Sequence, residues 1–296
     1  MKLKAALLIL NPAAHNFPGP RRLDKVKEVL AQHACRLEER VTGGPGEATI
    51  FAREAAAAGM DAVFVCGGDG TLREAAAGLI GSETALAFLP AGTVNVWARE
   101  VGIPLDPLKA ALAAVNGQRR LVDVGQADGH IFLLMAGMGL DAQITHRLPL
   151  RLKRWTGASA YAVTAAWEAL RWRGRGLVIH HQGGETRCRA LMVVAANVRN
   201  YAGLVQLAPE AQIADGLLDL CVFQGDGLME SVAHLIRVAI GRHLYSEKVI
   251  YLQGRRFQLD WEEPTPCHLD GDPIPISPRI IEALPSSLWA IVPAQT

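Results

Sequence analysis

The chain is poor in several things, and each shortage excludes a class of protein. Net charge is the first: 30 Lys and Arg stand against 29 Asp and Glu, a formal +1. There is no global pull toward nucleic acid, and an acidic partner must be met by a local patch. Cysteine is the second. The five present, Cys35, Cys66, Cys188, Cys221 and Cys267, are odd in number and scattered. They lack the paired spacing of a zinc site or a disulfide framework, so reduced thiols in a cytoplasmic setting are expected. Long apolar runs are the third. No stretch approaches the roughly 18 uninterrupted apolar residues of a membrane span. The opening MKLKAALLIL imitates a signal peptide. Its apolar run from Ala5 to Leu10 falls short of the roughly 7–15 residues of a signal core, and Asn11-Pro12 ends it, so it reads as a first strand. Repeats and low-complexity linkers are missing too.

What is present is a globular composition, 50% hydrophobic and 20% charged over 296 residues. Single cores stop growing near roughly 250–300 residues, which makes two domains the expectation. From Leu3 to about Gly117, strand-like and helix-like segments alternate: LKAALLIL, RRLDKVKEVLAQHA, RLEERVT, GEATIFAREAAAAG, DAVFVC, TLREAAAGLI, ALAFLP, TVNVWAREV. Continuous apolar strands alternating with helices predict an α/β domain, a parallel sheet covered by helices on both faces, over residues 1–122. Ligands are then expected beyond the C-terminal ends of the strands. After Asp123 the rhythm changes. A helical stretch over about Ala142 to Arg173 is followed by short strand-like runs, GLVIHH, CRALMVVAAN, LLDLCVF, KVIYL, RFQLDW, TPCHLD and SLWAIVP, with one more helix over about Gly227 to Arg242. This predicts a β-rich domain of sandwich character over 123–296, packed closely enough on the first to leave a cleft.

Three polar turns carry the chemistry. In VFVCGGDGTLREAAAGL, Gly67, Gly68 and Gly70 let a ligand approach the backbone, and Thr71 to Glu74 spell a capping box for the next helix. A lone turn of this kind is ordinarily a tight strand-to-helix connection, with Asp69 bonded to its own backbone. Two repetitions weigh against that. LPAGTVNVWARE closes a strand at Pro90, turns at Gly92, and is expected to cap a helix with Thr93 that carries Asn95 and Arg99 on one face. Asn11-Pro12 ends the opening strand in the same way. Neither a Walker A lysine nor the dinucleotide glycine spacing is present, since Arg73 stands three residues after Gly70. Free N–H groups at a helix start suit phosphate, and a carboxylate among them implies Mg²⁺ or a water that holds it.

GGDGT with Glu74, LPAGTVNVWAR, the opening NP, AGMGLDA (Ala136 to Ala142), Asn197 to Gly203, LAPEAQIADGLLDL (Leu207 to Leu220) and LDGDP (Leu269 to Pro273) together resemble the diacylglycerol kinase catalytic-domain family. The match is closest to bacterial lipid kinases related to sphingosine kinases and more distant from NAD kinases. The resemblance implies an ATP- and Mg²⁺-dependent kinase of a lipid alcohol, with diacylglycerol the default. Its nucleotide site would use Asn11, Thr42, Gly67, Gly68, Asp69, Gly70, Thr71, Glu74, Gly92, Thr93 and Asn95. Asp272, where the family usually has Glu, would be the general base, with Asp270 beside it as a substitute. By itself LDGDP reads as a hairpin turn. A structural Mg²⁺ would be held by Asp215 and the carbonyls of Gln212 and Leu217. NPAAHN lacks the glycine and serine common after the family's NP.

Two basic clusters are candidates for peripheral contact with the inner membrane face: Arg147, Arg151, Lys153 and Arg154 beside Trp155, and Arg171, Arg173 and Arg175 around Trp172. A solvated helix face explains them equally. A homodimer is open. Kinase action on a soluble hydroxyl such as the ribose of NAD, or nucleotide and lipid sensing without turnover, are the other readings.

Overall fold

The structure is a computed structural model, and it describes residues 3–147, 168, 171–201, 203 and 205–294. The chain divides into two compact units, Met1–Val124 with Pro285–Thr296, and Gly125–Leu284.

The first unit is built on β1 (Leu3–Leu10), β2 (Ala34–Val41), β3 (Ala62–Gly67) and β4 (Ala85–Pro90), joined through α1 (Pro20–Ala31), α2 (Glu47–Ala57) and α3 (Asp69–Leu79). Beyond β4 come α4 (Val96–Glu100) and α5 (Pro107–Val115). β1 pairs in parallel with β2 and β3, and β3 pairs in parallel with β4. Every residue of β3 and β4 is buried, as a strand covered on both faces requires. α2 packs on α3 and α1 on α5. The sequence rhythm passes over α5, although Asp106 and Pro107 announce it. The Asp106 carboxylate accepts from the Leu108 and Lys109 N–H groups, with proline at the first helical position.

The second unit contains β6 (His130–Phe132), β7 (Met135–Gly139), β8 (Arg175–His181), β9 (Gly184–Ala196), β10 (Asn200–Tyr201), β11 (Val205–Gln206), β12 (Leu218–Gln224), β13 (Val249–Gly254), β14 (Arg256–Trp261), β15 (Cys267–Leu269) and β16 (Asp272–Ile274). Its helices are α6 (Leu140–Arg147) and α7 (Leu228–Ala239). Its registered pairs are antiparallel. The long β9 serves β8 with its first half and both β7 and β12 with its second. The core gathers Phe132, Met138, Leu177, Val193, Leu220, Phe257, Leu259 and Ile281. Most of the helical stretch expected over 142–173 lies outside the described residues.

The chain passes between the units within β5 (Gln118–Ala127) and returns within β17 (Ile280–Val292). The sequence places 285–296 with the second domain because SLWAIVP follows other strands, whereas in the structure it joins the first unit. Ala290 pairs in parallel with Leu86 of β4, the buried Asp123 carboxylate accepts from Ser286 N–H at 2.7 Å, and Arg119 lies over the Trp289 ring.

Candidate active site

Because β1 to β4 are parallel, the residues that follow them emerge at one edge of the sheet. Asn11 follows β1, Thr42 follows β2, Gly68 to Thr71 follow β3, and Gly92 to Asn95 follow β4. Side chains tie these ends together. Asn11 Nδ2 donates to Thr71 Oγ1 at 2.7 Å, and its Oδ1 accepts from Ala13 N–H. Thr42 donates to Leu10 O through both its N–H and its hydroxyl. The glycine turns touch: a Cβ on Gly92 would lie 2.8 Å from Gly68 Cα and 2.7 Å from Asn95 Oδ1, so only glycine permits that approach. Asn16, which the sequence reading passed over, donates through Nδ2 to Gly92 O at 2.7 Å. Thr93 is exposed at the tip of its loop, and Glu74 sits half-buried beyond the first turn of α3.

Both expected caps are corrected. α3 begins at Asp69 with Gly68 as its N-cap, so Thr71 is already inside the helix and the Thr71 to Glu74 capping box does not form. Thr93 does not cap α4 either. Asn95 holds that position in a left-handed conformation (φ 54°), and its amide turns back to Gly92 N–H and Gly92 O at 2.9 and 3.0 Å. The start of α4 is capped from the neighbouring turn: Asp69 Oδ2 accepts from Val96 N–H at 3.0 Å and Oδ1 from Trp97 N–H at 3.2 Å. The carboxylate thus bonds the next strand's loop. Burial raises its pKa above the usual carboxylate value, against the opposing pull of these N–H groups and of Arg99. The N–H groups of Gly70 and Thr71 fall in the first turn of α3, where a helix has no internal acceptor for them. An oxyanion is the ligand such an edge accepts.

In the second unit, β15 and β16 form a hairpin whose two turn residues, Asp270 (φ 52°) and Gly271 (φ 87°), are both left-handed. The Asp270 carboxylate accepts from Leu133, Leu134 and Met135 N–H at 2.8–2.9 Å, so it is committed to the backbone and is no substitute base. Asp272, half-buried, opens β16 opposite Leu269.

His268 holds that turn. Its Nδ1 accepts from Gly271 N–H at 3.2 Å, and its Nε2 meets Asp141 Oδ2 at 2.7 Å. Asp141 also takes the Tyr201 hydroxyl. Burial works against a charged imidazole here, but the Asp141 carboxylate outweighs it and raises the His268 pKa. A Cβ on Gly137 would strike both partners, which is why that position of AGMGLDA is glycine. The motif was legible in the sequence, but the role of its aspartate was not, because its partner lies 127 residues away. His268→Ala leaves a buried carboxylate short of its partner and is expected to cost about 3 kcal/mol, read as a lower urea midpoint at unchanged m-value.

Around Asp215 the expected cation donors are one exposed carboxylate and main-chain carbonyls, and among the described residues no group of three or more His, Cys, Asp or Glu side chains is placed to hold a metal ion. Asp215 is exposed, with Oδ1 accepting Leu217 N–H at 3.0 Å. The nearby Asp219 takes the Tyr251 hydroxyl and the Gln253 amide on Oδ1, while its buried Oδ2 has no hydrogen-bond partner among the described residues. Burial first, then the charges of Asp215 and Glu210, raise the Asp219 pKa, against the Tyr251 and Gln253 hydrogen bonds that lower it. Gln212 is exposed and Leu217 half-buried on the same turn.

The basic clusters fare differently. Arg151, Lys153, Arg154 and Trp155 lie outside the described residues, as does the side chain of Arg147. Trp172 is buried, its Nε1 donates to Leu191 O at 2.9 Å, and Arg175 stacks on its ring while bonding Thr265. This tryptophan is a core residue and is not available to a membrane. The cysteines are all free, and burial pushes the Cys66, Cys221 and Cys267 thiols up to about 12. Thiolate catalysis at those three is excluded at ordinary pH.

A glycine-turn edge on a parallel α/β sheet, with a separate β-rich unit, is the arrangement expected of a kinase carrying the GGDGT motif. Comparison with known proteins agrees. The diacylglycerol kinase catalytic domain matches residues 5–127, and the YegS C-terminal NAD kinase beta sandwich-like domain matches residues 135–292. A probable lipid kinase YegS-like protein of Chromohalobacter salexigens is 35% identical over 274 residues, 90% of this chain and 86% of its own. The diacylglycerol kinase of Bacillus subtilis is 29% identical over 273 residues, 91% and 90% of the two chains. A crystal structure of a diacylglycerol kinase from Bacillus anthracis superposes with a TM-score of 0.78 at 24% identity, covering 99% and 98%, which speaks to the fold. The chain belongs to the diacylglycerol kinase catalytic-domain family and is a lipid kinase.

Proposed function

We propose that the protein transfers the γ-phosphoryl group of ATP to the hydroxyl of diacylglycerol, giving phosphatidic acid, at the inner face of the membrane. The observation that supports this is the convergence of four strand ends on one edge, where the first-turn N–H groups of α3 also lie. In this reading Gly67 to Thr71 cradle the phosphates, while Asn11 and Gly92 fix the two turns. Thr42, Glu74, Thr93 and Asn95 complete the nucleotide pocket. A Mg²⁺ here would neutralise charge on the transferred group. Because Asp69 is already bonded to the α4 backbone, it would hold the ion through a water. Asp272 accepts the proton of the attacking hydroxyl. Nucleotide binding is thereby assigned to residues 1–122 and the general base to 123–296.

The test is γ-labelled ATP offered with diacylglycerol, sphingoid bases, monoacylglycerol and NAD in parallel. Label in phosphatidic acid is the expected result. Label in NAD, or none anywhere, would overturn the assignment.

A second Mg²⁺ is placed in the proposal at Asp215 with the carbonyls of Gln212 and Leu217, where it would relieve the crowding of Asp215, Asp219 and Glu210. Without any nucleotide, saturating Mg²⁺ is then expected to raise the melting temperature by the equivalent of about 2.7 kcal/mol at a hundredfold excess over Kd. Asp215→Ala removes that rise, and an undiminished rise in the variant would place the ion elsewhere.

A further inference from the structure

Among the described residues, α7 is fastened by one side. His234 is buried with Nε2 on Gln224 O at 2.8 Å, and Leu228 packs against Leu140, Ile144, Trp172 and Leu191. The other side is apolar and open. Met229 is 80% exposed, Val232 44%, Leu235 69%, Ile236 55% and Ile240, one residue past the helix, 61%. Steps of three, four and seven residues place them in one strip. Tyr245, in the short turn after the helix, is 87% exposed. Contiguous open apolar surface of this kind marks a contact site.

The charges around the strip are uneven. Glu230 is paired with Lys248 at 3.3 Å and Asp226 with Arg189 at 2.8 Å. Arg237 and Arg242 have no carboxylate partner among the described residues, which leaves two guanidinium groups against the single unpaired acid Glu247.

We propose that this strip is the surface on which the enzyme rests on an anionic lipid bilayer, with α7 lying in the plane of the interface. The choice of a bilayer as the occupant rests on the lipid-kinase reading. An amphipathic helix with basic flanks takes that position, burying its apolar side at the boundary between headgroups and acyl chains. Tyr245 supplies an amphipathic ring suited to headgroup depth, and Arg237 and Arg242 can reach anionic lipid. A second copy of the chain fits less well. Twelve residues make a helix about 18 Å long, and a strip about 10 Å wide offers about 200 Å², against about 800 Å² per partner in a stable dimer.

The experiment uses the full chain and co-sedimentation with phosphatidylcholine vesicles, with and without phosphatidylglycerol. The variants are Met229→Ser/Leu235→Ser/Ile236→Ser, all at exposed positions, and Arg237→Gln/Arg242→Gln, the first half-buried and the second exposed. The triple variant is expected to bind at least about tenfold more weakly, and the arginine variant to lose the preference for anionic vesicles. Both should phosphorylate dispersed short-chain diacylglycerol at the wild-type rate. Sedimentation of the triple variant like wild type overturns the proposal. So does a wild-type dimer that the triple substitution dissolves while vesicle binding persists. If wild type phosphorylates no lipid, the functional reading fails, while the vesicle comparison still decides the surface.

Discussion

Asp69→Ala lowers phosphoryl transfer by about a hundredfold to a thousandfold and leaves a folded protein. Two losses combine. The α4 N-terminus loses the carboxylate that accepts Val96 and Trp97 N–H, a capping loss worth about 1–2 kcal/mol in stability. The phosphate edge loses the negative group that would hold the metal-bound water. In phosphoryl transfer, alignment and charge neutralisation supply most of the catalysis, and removing one electrostatic element from such a site costs about 10²–10³ in kcat. Asp69→Asn separates the two losses. An amide oxygen can accept one of the N–H groups while its NH₂ faces the other, so part of the cap survives and the charge does not. Activity in Asp69→Asn close to wild type would show that the carboxylate acts only as a cap.

Stability against pH gives an independent reading. The Asp69 pKa is raised in the fold, so the folded state holds the proton more tightly than the unfolded chain does. The contribution of the protonated group is complete below the ordinary value of 3.8 and is lost as pH rises through the folded-state value. Asp69→Asn lacks this dependence, so wild type should gain on the variant as the solution is acidified through the carboxylate range. The check is a set of urea midpoints for both proteins across that range.

The alternation of strands and helices was legible because buried parallel strands must be apolar throughout, and VFVC and ALAFLP are. The glycine turns were legible as a site because the same punctuation returned at successive strand ends. The caps were not. TLRE has the letters of a capping box, but sequence shows only neighbours in the chain, and the group that starts α4 comes from a different loop, 27 residues upstream of Val96. The same limit hid β17, whose SLWAIVP reads as a strand without saying which sheet it joins. It also hid the role of Asp141, whose partners Tyr201 and His268 lie 60 and 127 residues away. Asp270 and Asp272 look equivalent in LDGDP. Only the three N–H groups converging on Asp270 separate a structural carboxylate from a candidate base.

That separation sets the last prediction. Asp272→Asn is expected to lower kcat by about 10²–10⁴ with little change in KM for ATP, since general-base assistance is lost while the phosphate edge belongs to other residues. Asp270→Asn is expected to behave differently. It disturbs a turn that ties β15 to the segment before β7, so it lowers the melting temperature before it lowers the rate per folded molecule. Asp272→Glu restores the residue usual in the family and adds one methylene. The hairpin fixes the backbone on both sides of residue 272, and the His268 to Gly271 bond holds the turn itself, so the extra length goes into reach and not into a shifted loop. A neutral or faster Asp272→Glu is therefore expected in single-turnover transfer to diacylglycerol. A marked loss would mean that the surroundings of Asp272 are built for the shorter acid, and an Asp272→Asn variant at full rate would remove residue 272 from the proton transfer altogether.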